Sequence, residues 1–280
     1  MSVLFSIKDD FRYDIVRKIF EGGMAVVYEA EQHGAKQFVK RVAIKVIRQS
    51  FADQLRDKNR ILPAELAVFI TSRVARGLAY AHAKTDRDGR NLGIVHRDVS
   101  FKNIMIAFEG DVKLTDFGIA KARGFLQDQE GEVVAGKADY MSPEQANFQI
   151  TDRRSDIFST GVVLGHLLLG YNIFKGQTPD DSRERVMSMQ IPDFRKLDPR
   201  IDERLNTILH RALARDIDQR YKTADDLMVD LEKYIYGTGY GPTNETLGRF
   251  IREIFGQRDA GTTGDTKGGT LVVDRRAVVS

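Results

Sequence analysis

Apolar and polar residues alternate along the first part of the chain, with the period that strands have. The alternation predicts strands over residues 11–20, 26–31 and 38–47. Residues 21–23 and 32–34 contain the glycines and polar residues typical of turns. The first 47 residues are therefore expected to be strands joined by short turns.

Beyond residue 60 the apolar period changes from strand-like to helical. Amphipathic helices are predicted over residues 64–83, 203–214 and 224–236, and a buried helix within residues 157–174. Residues 258–280 are rich in Gly, Thr and Asp with little periodicity, which predicts a flexible tail. Strands first and helices afterwards indicate an α+β protein with two lobes.

No stretch of the chain is expected to cross a membrane. The most apolar one, residues 157–174, is short for a span and is interrupted by Ser159, Thr160, His166 and Asn172. Residues 1–10 lack a basic patch followed by an apolar run, so no secretion signal is expected.

Composition and charge exclude several classes of function. The chain has 280 residues, 42% apolar and 30% charged, as in soluble globular proteins. The net charge is +3, from 43 basic and 40 acidic residues, and such a balance does not favour nucleic-acid or membrane binding. The chain has no cysteine, which excludes disulfides, thiolate zinc sites and cysteine nucleophiles, and its five histidines show no metal-ligand spacing.

One motif has the composition of a phosphoryl-transfer site. The run from His96 to Asn103 reads His-Arg-Asp-Val-Ser-Phe-Lys-Asn, and Asp116-Phe117-Gly118 begins 13 residues after Asn103. Transfer from ATP needs an Asp that accepts the hydroxyl proton, and an Asn and an Asp that hold Mg²⁺. These residues are Asp98, Asn103 and Asp116.

Together with Val42-Ala43-Ile44-Lys45 and Ser142-Pro143-Glu144, this motif resembles the catalytic core of eukaryotic-like (Hanks-type) bacterial serine/threonine protein kinases. The resemblance implies a small β-rich lobe and a large helical lobe. It also implies ATP and Mg²⁺ as cofactors, Ser or Thr side chains of proteins as substrates, and cytoplasmic signalling as the role. It does not specify the substrate or the oligomeric state.

The resemblance also assigns residues to the nucleotide. The glycine-rich loop that covers ATP phosphates corresponds to Phe20, Glu21, Gly22, Gly23, Met24, Ala25, Val26 and Val27. Phe20 and Ala25 stand where the family has glycines. Lys45 is expected to contact the α- and β-phosphates.

The interval between Lys45 and His96 is shorter than in the resembling kinases, at 51 residues. The regulatory helix, whose glutamate pairs with the lysine, and the adenine hinge are therefore expected to be missing near residues 49–60. The predicted domains are a truncated small lobe over residues 1–61, a large lobe over 62–257 and the tail over 258–280. Candidate replacements for the glutamate are Asp53, Asp57 and Glu65.

The catalytic loop departs from the family at Ser100, where many serine/threonine kinases have a lysine. Lys137 stands where they have a threonine, so the two roles could be exchanged, with Lys137 supplying the cation and Ser100 the hydroxyl. Lys102 is a second candidate for the cation. An ordinary solvated role for Lys137 remains open.

Three further assignments concern regulation and structure. Arg97 is expected to pair with an anion, and because residues 119–139 have no Ser or Thr, Asp128, Glu130 and Glu132 are the candidates there. Structural roles are expected for a Glu144–Arg220 ion pair and for Asp156 as a brace of the catalytic loop. The threonines of the tail are possible phosphorylation sites: Thr262, Thr263, Thr266 and Thr270.

The presence of Asp98, Asn103, Asp116 and Lys45 favours an active kinase. The shortened interval and Phe20 favour a pseudokinase that serves as a binding module. A damaged copy of a longer kinase gene, without stable function, is a third alternative.

Overall fold

The computed structural model describes residues 4–8, 12–21, 25–33, 39–47, 55, 58, 60–117, 138–255 and 270–272. An antiparallel sheet forms the small lobe, with strands in the order β1-β2-β3-β4-β7. Its strands are β1 (Phe5–Lys8), β2 (Arg12–Glu21), β3 (Ala25–His33), β4 (Val39–Ile47) and β7 (Thr270–Val272).

The register of this sheet places the Lys45 strand beside the predicted glycine-rich loop. Phe20 pairs with Val27 across β2 and β3, and Val27 pairs with Lys45 across β3 and β4. A small core, formed by Tyr13, Ile15, Ala30 and Ile44, lies on the sheet. Because side chains alternate between the faces of a strand, these positions share one buried face.

Helices form the large lobe, together with the short hairpin of β5 (Ile104–Ile106) and β6 (Val112–Leu114). The long helix α1 packs against α3 and α6. The helices are α1 (Ala64–His82), α2 (Pro143–Ala146), α3 (Arg153–Leu169), α4 (Pro179–Ser188), α5 (Glu203–Ala212), α6 (Ala224–Tyr236) and α7 (Asn244–Phe255). The two-lobed α+β prediction is confirmed.

The buried helix predicted within residues 157–174 begins and ends earlier in the structure, and local capping explains both ends. Helix α3 begins at Arg153 because the Asp152 side chain accepts a hydrogen bond from the Arg154 backbone N–H. It ends at Leu169, because the next residue, Gly170, has a φ of 77° in the left-handed region that favours glycine. The three predicted strands and the amphipathic helices predicted over residues 64–83, 203–214 and 224–236 are confirmed. The elements that were not predicted are β1, β5, β6, β7, α2, α4 and α7.

The segment between β4 and α1, residues 48–63, is called the linker here, and one of its described residues packs into the large lobe. Leu55, only 6% exposed, belongs to the same apolar core as α1 and α7. Among the described residues, no helix combines the length and the hydropathy that membrane crossing requires. The predicted domain limits stay predictions, although β7 shows that part of the predicted tail is a strand.

Candidate active site

The β5–β6 hairpin places the two predicted metal ligands next to each other. A single 3₁₀ turn, Phe101–Asn103, leads directly into β5, and β6 ends two residues before Asp116. The Thr115 backbone N–H donates to the Asn103 carbonyl at 2.8 Å, which extends the hairpin ladder. Asn103 and Asp116 therefore lie at the open end of one hairpin.

Hydrogen bonds join the predicted base to these ligands. The Asn103 side-chain amide donates to the Asp98 carbonyl at 2.8 Å, and this bond orients the amide oxygen, the atom that can bind a cation. The Thr115 hydroxyl lies 3.2 Å from the Asn103 carbonyl and 3.4 Å from Asp116 Oδ2. Three residues separated in sequence are thus held as one unit.

A buried carboxylate fixes the loop that carries Asp98. Asp156, 1% exposed, accepts hydrogen bonds from the backbone N–H groups of His96 at 2.8 Å and Arg97 at 2.7 Å. His82 Nε2 lies 2.8 Å from the same carboxylate. The predicted bracing role of Asp156 is supported by these contacts, and His82 is a member of the brace that the sequence reading missed.

Strained backbone marks the two ends of the unit. Arg97 has a φ of 62° and Asp116 a φ of 63°, in the left-handed region that residues other than glycine rarely adopt. His96 Nε2 lies 2.9 Å from the Thr115 carbonyl and links the two strained positions. Strain retained in this way is typical of functional sites, where the surrounding contacts enforce it.

The donor set fits a hard divalent cation. Asp116 supplies carboxylate oxygens and Asn103 an amide oxygen, and Mg²⁺ is usually held by one or two carboxylates together with substrate phosphates and water. Within the described residues, no group of three or more Asp, Glu, His or Cys could hold a metal ion by itself. Asp116 and Asn103 would supply two oxygen ligands to such an ion, and its other ligands would be water or phosphate oxygens.

Lys102, one of the two candidates for the cation, and Ser100, the candidate for the hydroxyl, both lie among the described residues. Lys102 Nζ lies 3.9 Å from Asp98 Oδ2, and the Lys102 side chain is 38% exposed. Ser100 is buried, 2% exposed, and its hydroxyl has no hydrogen-bond partner among the described residues. Lys137 lies outside the described residues. The geometry brings Lys102, and not the Ser100 hydroxyl, to the accessible side of the predicted base.

For the residues predicted to contact the nucleotide, the structure describes mainly the backbone. Phe20 and Glu21 end β2, Val26 and Val27 lie in β3, and Lys18 Nζ lies 2.5 Å from Glu21 Oε2. Gly22, Gly23 and Met24 lie outside the described residues, as do the side chains of Ala25 and Lys45. The roles predicted for them stay predictions.

The candidate partners of Lys45 and Arg97 are only partly located. Glu65 is exposed in the first turn of α1, which belongs to the large lobe. Arg97 Nε donates to the Thr151 hydroxyl at 3.1 Å. The other candidates lie outside the described residues: Asp53, Asp57, Asp128, Glu130 and Glu132.

The predicted ion pair between Glu144 and Arg220 is confirmed. Arg220, 1% exposed, donates to both oxygens of Glu144, at 2.9 and 3.3 Å, and the Ser155 hydroxyl adds a bond of 2.6 Å. Burial opposes ionisation of Glu144, but the hydrogen bonds and charge of Arg220 outweigh it and lower the pKa of this carboxyl. The pair joins α2 to the segment before α6.

Comparison with known proteins identifies the family. Residues 48–230, more than half of the chain, match the family described as "Protein kinase domain". The chain belongs to the protein kinase family. The matched region contains the whole Asp98, Asn103 and Asp116 unit of this kinase and begins directly after β4, so the glycine-rich loop and Lys45 precede it.

Curated relatives of this kinase are bacterial protein kinases. Tyrosine-protein kinase MasK of Myxococcus xanthus is 32% identical, over 88% of this chain and 46% of MasK. Probable serine/threonine-protein kinase CPE1738 of Clostridium perfringens is 30% identical over 79% of this chain and 38% of its own. Serine/threonine-protein kinase PrkC of Bacillus subtilis is 32% identical over 59% of this chain and 24% of its own.

These relatives confirm the predicted family and bear on the shortened interval. The kinase chain spans less than half the length of each of the three. The alignment with MasK runs over 304 positions, more than the 280 residues of this chain, so MasK has residues inside the aligned region that this kinase lacks. That difference agrees with the predicted deletion without locating it.

Proposed function

We propose that this chain is a protein kinase that transfers the γ-phosphate of ATP to serine or threonine hydroxyls of proteins. The observation that carries the proposal is the hydrogen-bonded unit of Asp98, Asn103 and Thr115-Asp116. Phosphoryl transfer depends mainly on positioning and on charge stabilisation, and this unit supplies the oxygens for both.

Each residue has a role in the proposed reaction. Asp98 accepts the proton of the attacking hydroxyl, and the hydrogen bond from the Asn103 amide to the Asp98 carbonyl fixes the backbone that carries this side chain. Asn103 and Asp116 hold Mg²⁺, which neutralises charge on the phosphates when bound. Lys102, close to Asp98, supplies the cation near the transferred group, while Lys137 and Ser100 remain the alternative pair.

The nucleotide side follows the resemblance. Lys45 contacts the α- and β-phosphates, and the loop from Phe20 to Val27 covers them, since the register brings these strands together. A role in cytoplasmic signalling stays a prediction, as does the identity of the protein substrate.

Two other functions have specific support. The name of MasK favours tyrosine as the acceptor, whereas the other relatives named above are serine/threonine kinases. The shortened interval favours a pseudokinase that binds partners without catalysis. Both alternatives keep the fold. The first differs in the acceptor residue, and the second transfers no phosphate.

The test is transfer of labelled γ-phosphate from Mg·ATP by the purified full chain, with Asp98→Asn and Asp116→Asn as controls. We expect wild-type labelling that both variants reduce by about a hundredfold or more. Acid hydrolysis of the labelled protein then separates phosphoserine and phosphothreonine from phosphotyrosine. A folded wild type that transfers nothing would support the pseudokinase.

A further inference from the structure

Helix α7 lies against the turn of the hairpin that carries both predicted metal ligands. Arg252 Nη1 donates to the Phe108 carbonyl at 2.8 Å, and the Asn244 side-chain amide donates to Asp111 Oδ1 at 2.6 Å. Phe108 and Asp111 both belong to the turn between β5 and β6. One helix therefore holds the turn at both of its sides.

Two glycines allow this approach to be close. A Cβ on Gly248 would lie 2.8 Å from the Glu109 carbonyl carbon and 2.9 Å from the Phe108 oxygen, both backbone atoms that cannot yield easily. A Cβ on Gly110 would lie 1.9 Å from the Asn244 oxygen, and Gly110 also has a φ of 88°. The helix and the turn are in direct backbone contact.

The same helix is anchored on its other faces. Leu247, Ile251 and Ile254 are buried in the large-lobe core. At the helix C-terminus, Lys58 Nζ donates to the Ile254 carbonyl at 2.6 Å, and Arg60 Nη2 lies 3.4 Å from Glu253 Oε2. Residues of the shortened linker therefore hold the end of α7, and a cation there also complements the helix dipole.

We propose that α7 is a positioning element of the active site, which fixes the β5–β6 hairpin and, through it, Asn103 and Asp116. Its positioning residues are Arg252 and Gly248, and Gly110 of the turn allows their close approach. This role rests on the proposed function, because the ligand assignment does. It goes beyond the family match, which ends at residue 230, before α7 begins.

The reason for such an element lies in the geometry of the hairpin. Each strand has only three residues, so a displaced turn moves the open end, where the metal ligands lie, with little resistance from the ladder. Groups that orient a metal ligand commonly change metal affinity by about tenfold or more when they are removed. In this chain, α7 supplies that support from outside the matched kinase region.

The test uses Arg252→Ala and Gly248→Ala in the full chain, with Arg249→Ala as the matched control. Arg249 is exposed on the same helix. Alanine favours helix more than glycine does, so Gly248→Ala pushes on the turn without weakening the helix itself. Two quantities are measured for each variant. The first is the hydrogen-exchange rate of the amides of residues 104–114. The second is the Mg²⁺ dependence of ATP binding, which is measured by calorimetry.

We expect both variants to exchange the hairpin amides faster and to need about tenfold more Mg²⁺ for half-maximal ATP binding. Arg249→Ala should match the wild type, and Arg252→Lys should restore part of the loss. Unchanged Mg²⁺ dependence in Arg252→Ala and Gly248→Ala, whether or not their melting temperatures fall, would overturn the proposal.

Failure of the proposed function would look different. A wild type that neither binds Mg·ATP nor transfers phosphate would contradict the proposed phosphotransfer and leave amide exchange as the deciding measurement for α7. The positioning role would then be overturned if the hairpin amides exchange as slowly in Gly248→Ala and Arg252→Ala as they do in Arg249→Ala.

Discussion

At the scale of single residues, the polar atoms of the catalytic loop are held by backbone hydrogen bonds. The Asn103 amide is fixed by the Asp98 carbonyl and the loop by Asp156, so the side chains that remain for chemistry are preorganised. Preorganised groups need little rearrangement as charge develops, which is the main source of their catalytic effect.

The first prediction concerns the cation near the transferred phosphate. Lys102→Ala should lower kcat for phosphotransfer by about tenfold to a hundredfold, because Lys102 is the described lysine that lies near Asp98. The change in kcat is measured by steady-state kinetics with Mg·ATP and a protein substrate.

The control for this prediction is Lys113→Ala, since Lys113 is exposed on β6. Lys137→Ala is measured beside it. A large loss in Lys137→Ala with none in Lys102→Ala would instead support the exchange of roles between Lys137 and Ser100.

At the scale of elements, the large lobe is joined by a few buried polar contacts between segments far apart in sequence. The Glu144–Arg220 pair is the clearest, since it joins the four-residue helix α2 to the segment before α6. Breaking a buried pair leaves an uncompensated charge and typically costs about 3–5 kcal/mol of stability.

The second prediction is that Glu144→Gln destabilises the protein by about 3 kcal/mol at pH 7. Because the folded-state pKa of Glu144 lies below its ordinary value of 4.5, the ionised pair stabilises the fold above that value. The stabilisation is lost as the pH falls through the lowered pKa.

Urea unfolding of both proteins from pH 7 downwards measures this difference. The stability difference between wild type and variant should stay constant near neutrality and narrow below about pH 4.5, the ordinary pKa of the group. A difference that does not change with pH would contradict the ionised pair.

The third prediction concerns β7, which covers the edge of β4 that carries Lys45. Leu271 pairs with Val46 at the centre of this three-residue contact. Proline cannot donate to a strand ladder, so Leu271→Pro should release β7 and speed amide exchange within residues 45–47.

Exchange in β2 should not change, because that strand pairs with β1 and β3. The matched control is Thr266→Pro, which places the same residue four positions before β7. Equal exchange in the two proline variants would show that β7 does not protect β4 in solution.

At the scale of the whole molecule, the two lobes have cores of very different size. Among the described residues, the buried cluster of the small lobe has four members, whereas the large-lobe core extends through α1, α3 and the later helices. Leu55 of the linker belongs to the larger core. Stability of the whole chain therefore depends mainly on the large lobe and on what attaches to it.

The fourth prediction follows from that attachment. Leu55→Ala should lower the free energy of unfolding by about 2–5 kcal/mol, the usual cost of truncating a buried leucine. Thermal or urea unfolding measures it. Ile61→Ala, at a linker position that is 69% exposed, is the control and should change stability by less than about 0.5 kcal/mol.

The sequence by itself determined the fold class, the central strands, the long helices and the catalytic motif. These depend on local signals: the period of apolar residues, and polar residues at fixed separations. Asp98, Asn103 and Asp116 could be recognised because their spacing alone is informative, and the Glu144–Arg220 pair followed from the same resemblance.

Only the tertiary structure decided which distant segments meet. Helix α7 contacts the hairpin, β7 pairs with β4, and His82 lies beside Asp156, and no local period encodes these contacts. Their partners are brought together by burial of a shared core, which depends on the whole chain. For that reason the sequence could nominate the chemical groups of the site, but not the elements that hold them in place.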